Sequence, residues 1–170
     1  IKKLYVGSTL VYQKIIPVGT TVFESDIPGE YAITIPQTRN YDIVLVGGGG
    51  GGGSACCGAG GALIQGTAFL RRGEYVIKVG RNGTGYISST TDVTDGGDTK
   101  AFEQIAGGGN KGILLTATGG KATVTLEGLT GTNGKSGATS KPGASLYEGY
   151  GAGGNKKTDG TGGYIKIVTA

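Results

Sequence analysis

Short alternating runs of apolar and polar residues set the pattern of the first 46 positions. Strands are predicted at Lys3 to Val6, Thr9 to Ile16, Thr20 to Ser25, Glu30 to Ile35 and Tyr41 to Val46, rich in Val, Ile, Tyr, Phe and Thr. Gly7-Ser8, Pro17-Val18-Gly19, Pro28-Gly29 and Pro36 separate them with turn chemistry. Further strands are predicted at Ala62 to Leu70, Glu74 to Val79, Ile113 to Thr118, Lys121 to Leu126 and Tyr164 to Thr169. In Glu74 to Val79 the alternation puts Tyr75, Ile77 and Val79 on one face, as in a half-buried strand. Ile43, Val44, Leu45 and Val46 are apolar on both faces, which suits a central strand. Gly119-Gly120 between two strand-like runs predicts a hairpin over Leu114 to Leu126. No segment sustains a helical period over three turns. The expected fold is all-β, a jelly-roll-like β-sandwich with glycine-rich loops and extended segments of polyproline II type.

Glycine adds the second pattern. The chain holds 38 glycines in 170 residues, and Gly7, Gly19 and Gly29 are the only ones before Gly47. From there a period of three recurs: Gly47, Gly50, Gly53; Gly128, Gly131, Gly134, Gly137, then Gly143; and Gly151, Gly154, Gly160, Gly163. Three residues per turn is the repeat of polyproline II, where a glycine edge lets another backbone approach closely. Such helices have no internal hydrogen bonds, so their amides must pair with water or with neighbours of the same kind. Flexible linkers are the alternative, but the alternation of glycine tracts with strong strands, ending on Tyr164 to Val168, opposes it. Only four prolines rule out collagen.

Composition then narrows the chemistry. With no His, no Trp and no Met, most acid-base and metal constellations are excluded, no enzyme activity is expected, and no cofactor is expected. The net charge of +4 comes from scattered Lys and Arg, so nucleic acid is not an expected partner. No apolar run reaches membrane-span length, and no membrane insertion is expected. The chain does not open on Met and is expected to be processed or excised from a longer one. Adjacent Cys56 and Cys57 lack metal or redox spacing and read as small residues in a glycine tract.

Three motifs imitate ligand sites. Tyr41 to Val46 followed by Gly47, Gly49 and Gly52 fits a dinucleotide fingerprint, but seven consecutive glycines fit almost any spacing and no helix follows. Gly134-Lys135-Ser136 resembles the end of a phosphate loop whose first glycine is replaced by Leu129. Asp92, Asp95 and Asp98 present oxygens suited to Ca²⁺, but Asp95-Gly96-Gly97-Asp98 reads first as a turn.

Recognition is expected from tyrosines in glycine-rich surroundings, Tyr86, Tyr147 and Tyr150, with Asn82, Asn110 and Asn155. Tyr joins an apolar body to a polar tip, and Asn adds adaptable donors and acceptors.

The order Tyr31-Ala32-Ile33-Thr34-Ile35-Pro36, Tyr41 to Val46, Gly47 to Gly53, Gly60-Gly61-Ala62, Gly73 to Gly80, Gly96-Gly97-Asp98-Thr99 and Ala106 to Gly109 resembles the glycine-rich domain of bacteriophage and prophage tail-fibre and virion structural proteins. Gly162 to Val168 is similar to its last strand, and Leu4-Tyr5-Val6-Gly7 followed by Leu10-Val11-Tyr12 to a short module that often precedes it. The resemblance implies a strand module over 1–30 and a glycine-rich sandwich over 31–170, with polyproline II-like segments at 128–163. It also implies a virion-exposed, extracellular, non-enzymatic tail or fibre component that binds a host cell-surface receptor, a glycan or an outer protein. Other virion proteins are the further partners, and a homotrimer is the expected assembly. The alternative is a self-assembling filament or virion assembly subunit without receptor binding.

Overall fold

A computed structural model describes residues 2–6, 9–13, 15–88, 92–113 and 115–170, with residues 2–13 described as backbone strands only. Gly7-Ser8, Lys14 and Leu114, which fall within predicted turns and strands, lie outside the described residues. No helix occurs among the described residues. Strands β1 (Lys2–Val6) and β2 (Thr9–Gln13) pair as an antiparallel sheet of their own. Two five-stranded sheets form the body. One has the order β11-β9-β8-β7-β4, built from β4 (Gly29–Ile35), β7 (Gly73–Val79), β8 (Thr99–Ala101), β9 (Gln104–Ala106) and β11 (Ala122–Thr123). The other has the order β12-β6-β5-β14-β3, built from β3 (Thr21–Ser25), β5 (Arg39–Val46), β6 (Leu63–Leu70), β12 (Leu129–Thr132) and β14 (Tyr164–Thr169).

The sheets face each other across one core. Ile33, Ile35, Ile77 and Val79 of the first meet Tyr41, Ile43, Leu45, Ile64, Ile165 and Ile167 of the second. Burying each such side chain stabilises by about 1.5–3 kcal/mol. Strand β5 is the middle strand of its sheet, as its doubly apolar pattern predicts, and β7 buries Ile77 and Val79 while exposing Glu74, Val76 and Lys78. The expected all-β sandwich is the fold found.

The predicted Leu114 to Leu126 hairpin does not form. Thr116–Ala117 (β10) pairs with Gly137–Ala138 (β13), and β11 pairs with β9. The buried Gln104 explains the second half. Its Oε1 accepts from the N–H groups of Thr125 and Leu126, and its Nε2 donates to Phe102 O and Thr125 Oγ1. These bonds hold 121–126 to β9 rather than to 114–118. Gly119 and Gly120 meet the backbone of Gly134 and Gly107 instead of closing a turn.

Between the strand ends the chain runs out from the sandwich and back as extended glycine rods. β5 continues into 47–53, which turns and returns through 58–62 into β6; β7 continues into 80–86, which returns through 94–97 into β8. Further outgoing rods are 107–112, 134–138 and 151–155, and their returns are 118–121, 141–143 and 158–163. Asp95-Gly96-Gly97-Asp98 is therefore part of a returning rod, not a turn: Gly96 and Gly97 donate to Gly109 O and Arg81 O. The stretch expected as polyproline II-like, 128–163, contains β12 and β13 together with four of these rods, and other rods begin already at Gly47.

The seven glycines 47–53 are the axis of this bundle. Their N–H groups point in turn to three antiparallel returning rods: Gly47, Gly50 and Gly53 donate to Ala62, Ala59 and Cys56; Gly48 and Gly51 to Gly97 and Thr94; Gly49 and Gly52 to Thr161 and Thr158. Their carbonyls serve three parallel outgoing rods: Gly48 and Gly51 accept from Gly109 and Gly112, Gly49 and Gly52 from Gly83 and Tyr86, Gly50 and Gly53 from Gly154 and Lys157. The six surrounding rods also bond to one another around the ring. The returning rod 58–62 is a second axis, enclosed by 47–53, 107–112, 118–121, 134–138, 141–143 and 151–155. The bundle is two fused hexagons of extended chains. Each net hydrogen bond is worth about 1 kcal/mol, and each amide left unpaired here costs about 1–3 kcal/mol.

Candidate functional site at the loop tip of the glycine bundle

The rods carry their connecting loops away from the sandwich to one end. The described residues of those loops are 54–57, 87–88 with 92–93, 113 with 115–117, 139–140 and 156–157, and together they make the tip. Because the backbones are bonded to each other along the bundle, the loops are presented on a rigid support. The opposite pole is the far end of the sandwich, where the guanidinium of Arg39 donates to Ile16 O and to Ala170 O. Where sandwich passes into bundle, the buried Thr99 hydroxyl donates to Val46 O at 2.6 Å and accepts from Gly80 N, which fixes the start of two rods.

Two of the six tyrosine and asparagine residues singled out from sequence reach the tip. Tyr86 is half-buried there, its N–H bonded to Gly52 O and its hydroxyl donating to Ser88 O at 3.0 Å. Lys157 Nζ lies 5.7 Å from the Tyr86 ring centroid, a cation–π placement. Asn155 ends the outgoing rod 151–155, separated from the Tyr86 rod by the returning rod 158–163, and is exposed. Asn82 and Asn110 sit part-way along the flanks, the first half-buried and the second exposed. Tyr147 and Tyr150 lie at the other end of the bundle, in the turn between 141–143 and 151–155. Both stack on Tyr164, at 5.7 and 4.4 Å between centroids, beside Val46 and Leu63. With a polyproline II rise of about 3.1 Å per residue, six residues of the axis separate the two groups by about 18 Å. The structure thus places Tyr86 and Asn155 at the same end of the bundle and puts the tyrosine pair at the other.

The Tyr164 hydroxyl donates to Glu24 Oε1 at 2.5 Å, and Lys166 Nζ is 3.5 Å from the same oxygen. Burial first, then this bond, pushes the Tyr164 phenol well above its ordinary value. The bond from Tyr164 is the main cause holding Glu24 below the usual carboxylate value, against a smaller opposing effect of desolvation, with Lys166 adding to the lowering.

A tip cavity of about 310 Å³ is lined by Cys57, Thr139, Ser140, Asn155 and Lys156; the sequence marks Asn155 as a contact, Lys156 beside it only as general attraction to an anionic surface and Cys57 only as a small residue, and it passes over Thr139 and Ser140. Nothing in their order marks them as one site, since three separate loops supply them. Cys56 and Cys57 are free thiols, both buried, and fit the tightly packed second axis as small side chains. Burial pushes the Cys56 thiol up, the neighbouring Cys57 adds to this, and Lys156 opposes it. The two most exposed large apolar side chains among those described, Ile87 and Leu115, also stand on tip loops, at 82% and 75% exposure. Asp95 and Asp98 are committed to backbone amides, accepting from Lys111 N and Gly108 N, and Asp98 also pairs with Lys100 at 3.5 Å.

At the opposite pole a cleft of about 660 Å³ opens between Phe69, Tyr75, Val76, Phe102 and Leu126. Its lining is largely apolar, with Arg71 and Glu103 also bordering it, whereas the tip sets Lys156 and Lys157 beside the exposed Ile87 and Leu115.

A β-sandwich whose connections are drawn out into a hydrogen-bonded glycine bundle places the chain among the glycine-rich β proteins. Residues 25–167 match the family described as "Glycine-rich domain", and the chain belongs to that family. A search of curated proteins finds no match to it.

Proposed function

We propose that this protein is a non-enzymatic virion component, a phage tail or fibre protein that binds the bacterial surface with the loop tip of its glycine bundle. The observation that carries the reading is the display of five loops at one end of a rigid, backbone-bonded support. Scaffolds place recognition on loops because loops tolerate change without disturbing the core. The tip pairs polar and cationic groups, Tyr86, Asn155 and Lys156, with exposed Ile87 and Leu115, a mixture suited to an envelope glycan or an outer protein. Its place is the virion, outside the cell, and its other partners are virion proteins.

Purified protein is expected to bind intact host bacteria and to compete with infection. The paired substitution Tyr86→Ala and Asn155→Ala is expected to abolish binding with an unchanged melting temperature. Retention of full binding by that variant overturns the tip assignment.

The apolar cleft at the far pole favours a second reading, a structural assembly subunit. Exposed Phe69 and Val76 beside it suit burial against another polypeptide. Failure to bind cells together with polymerisation at micromolar concentration selects that reading.

A further inference from the structure

We propose that the tip cavity bounded by Cys57, Thr139, Ser140, Asn155 and Lys156 is a binding site for a phosphate-bearing sugar. The proposal rests on the tip being the recognition surface and names the chemistry it takes. A volume of about 310 Å³ is at the small end of ligand sites, about 300–1,000 Å³, and suits one sugar ring with its phosphate.

The lining is a collection of donors. Lys156 brings an ammonium with three N–H groups, Thr139 and Ser140 bring hydroxyls, and Asn155 an amide. The Cys57 thiol donates to Asn155 Oδ1 at 3.7 Å, which takes one lone pair of that oxygen and leaves the amide's two N–H donors for a ligand. Among the described residues, the side chains of Thr139, Ser140 and Lys156 make no hydrogen bond within the protein. No Asp or Glu lines the cavity. A neutral sugar can bond the Thr139 and Ser140 hydroxyls, which donate and accept, but it leaves the Lys156 ammonium without a counter-charge. A carboxylate has two oxygens for these groups. A phosphate monoester has three terminal oxygens and between one and two negative charges near neutral pH, which matches donors arriving from two loops, Thr139 and Ser140 on one and Asn155 with the Lys156 cation on the other.

The placement also separates Lys156 from its neighbour. Lys157 is directed over the Tyr86 ring and does not line the cavity. That difference makes a test that general attraction to anions does not pass.

The full chain is titrated with glucose 1-phosphate, inorganic phosphate and glucose at constant ionic strength, and backbone amide resonances are followed. Glucose 1-phosphate is expected to shift the amides of Ser140, Asn155 and Lys156 saturably, inorganic phosphate to shift the same set with weaker affinity, and glucose to leave them in place. Lys156→Gln is expected to weaken glucose 1-phosphate binding at least tenfold, and Lys157→Gln to change it less than twofold. Equal loss in both variants, equal response to glucose, or no saturable shift overturns the site. Cell binding is scored separately. A protein that takes up glucose 1-phosphate but ignores bacteria leaves the site standing and overturns the surface-binding reading, with a soluble sugar phosphate as the source. One that binds bacteria equally well with Lys156→Gln overturns the site alone. Displacement from bacteria by excess glucose 1-phosphate identifies an envelope sugar as the source.

Discussion

A β-carbon has no room at the axis of this molecule. Built onto Gly52 it would stand 1.7 Å from Asn155 O, and onto Gly51 1.8 Å from Thr84 O. Both obstacles are backbone held by further hydrogen bonds, so neither side gives way. Gly52→Ala is expected to cost more than about 3 kcal/mol, at the upper end of overpacking, lowering the melting temperature by about 6–12 °C or more. Gly162→Ala, whose nearest obstacle is Asp26 O at 3.7 Å, is expected to stay within about 0.5 kcal/mol. Thermal unfolding of the two variants side by side checks the contrast, and equal behaviour contradicts the close-packed axis. The Tyr164–Glu24 bond gives a second expectation at this scale. The Tyr164 phenol is raised in the fold, so its contribution is complete below the unfolded value near 10 and declines as pH rises above it. Glu24 is lowered, so its contribution is present above the ordinary carboxylate value of 4.5 and is lost as pH falls below it. Tyr164→Phe is expected to flatten the alkaline limb of the melting-temperature profile and Glu24→Gln the acid limb, measured by thermal unfolding from pH 3 to 11. A profile unchanged on both limbs in both variants contradicts the pairing.

Among the elements, strands with a plain alternation are those legible in the sequence. β4, β5, β6, β7 and β14 stand within two residues of their predicted ends, because each buries one face or both and carries β-branched residues to do so. The hairpin of β8 and β9 escaped notice for a specific reason. Its turn residues Phe102 and Glu103 both have positive φ, 51° and 64°, where a two-residue hairpin turn calls for Asn-Gly. Phe102 is held there by its edge-on packing against Tyr75 at 5.1 Å. Glu103 is exposed and has no such anchor. Glu103→Gly is therefore expected to stabilise the protein by about 0.5–1 kcal/mol through relief of backbone strain. Denaturant unfolding checks it, and a loss of stability contradicts the strained turn. The Gly119-Gly120 pair misled in the opposite direction. It has good turn chemistry, but both residues are needed inside the bundle, where a turn residue and an axis-facing residue look the same in sequence.

For the whole molecule, the two poles differ, a tip with Lys156 and Lys157 beside exposed Ile87 and Leu115 and a largely apolar cleft, and the attachment role proposed above would use the first for binding and the second for assembly. We propose assembly through the cleft pole, which would leave the tips free and accommodate the homotrimer expected from the family resemblance. Light scattering is expected to return three times the 17.0 kDa chain mass; a 17.0 kDa particle at high concentration contradicts it. What the sequence determined by itself was the all-β class, the central place of β5 and the three-residue period of glycine. These follow from local rules: alternation reports which face is buried, and a period of three reports one crowded edge in three. What the tertiary structure decided was where those edges point. The seven consecutive glycines look like a linker or a nucleotide loop when read alone, because the reason for all seven lies in six other segments spread from Cys56 to Gly163. A rod on the rim needs glycine at every third position, whereas a rod enclosed on all sides needs small residues throughout. The tip cavity has the same origin, since Cys57, Ser140 and Lys156 become neighbours only when three rods end at the same level. Packing between distant segments sets that level, and no pattern within one segment encodes it.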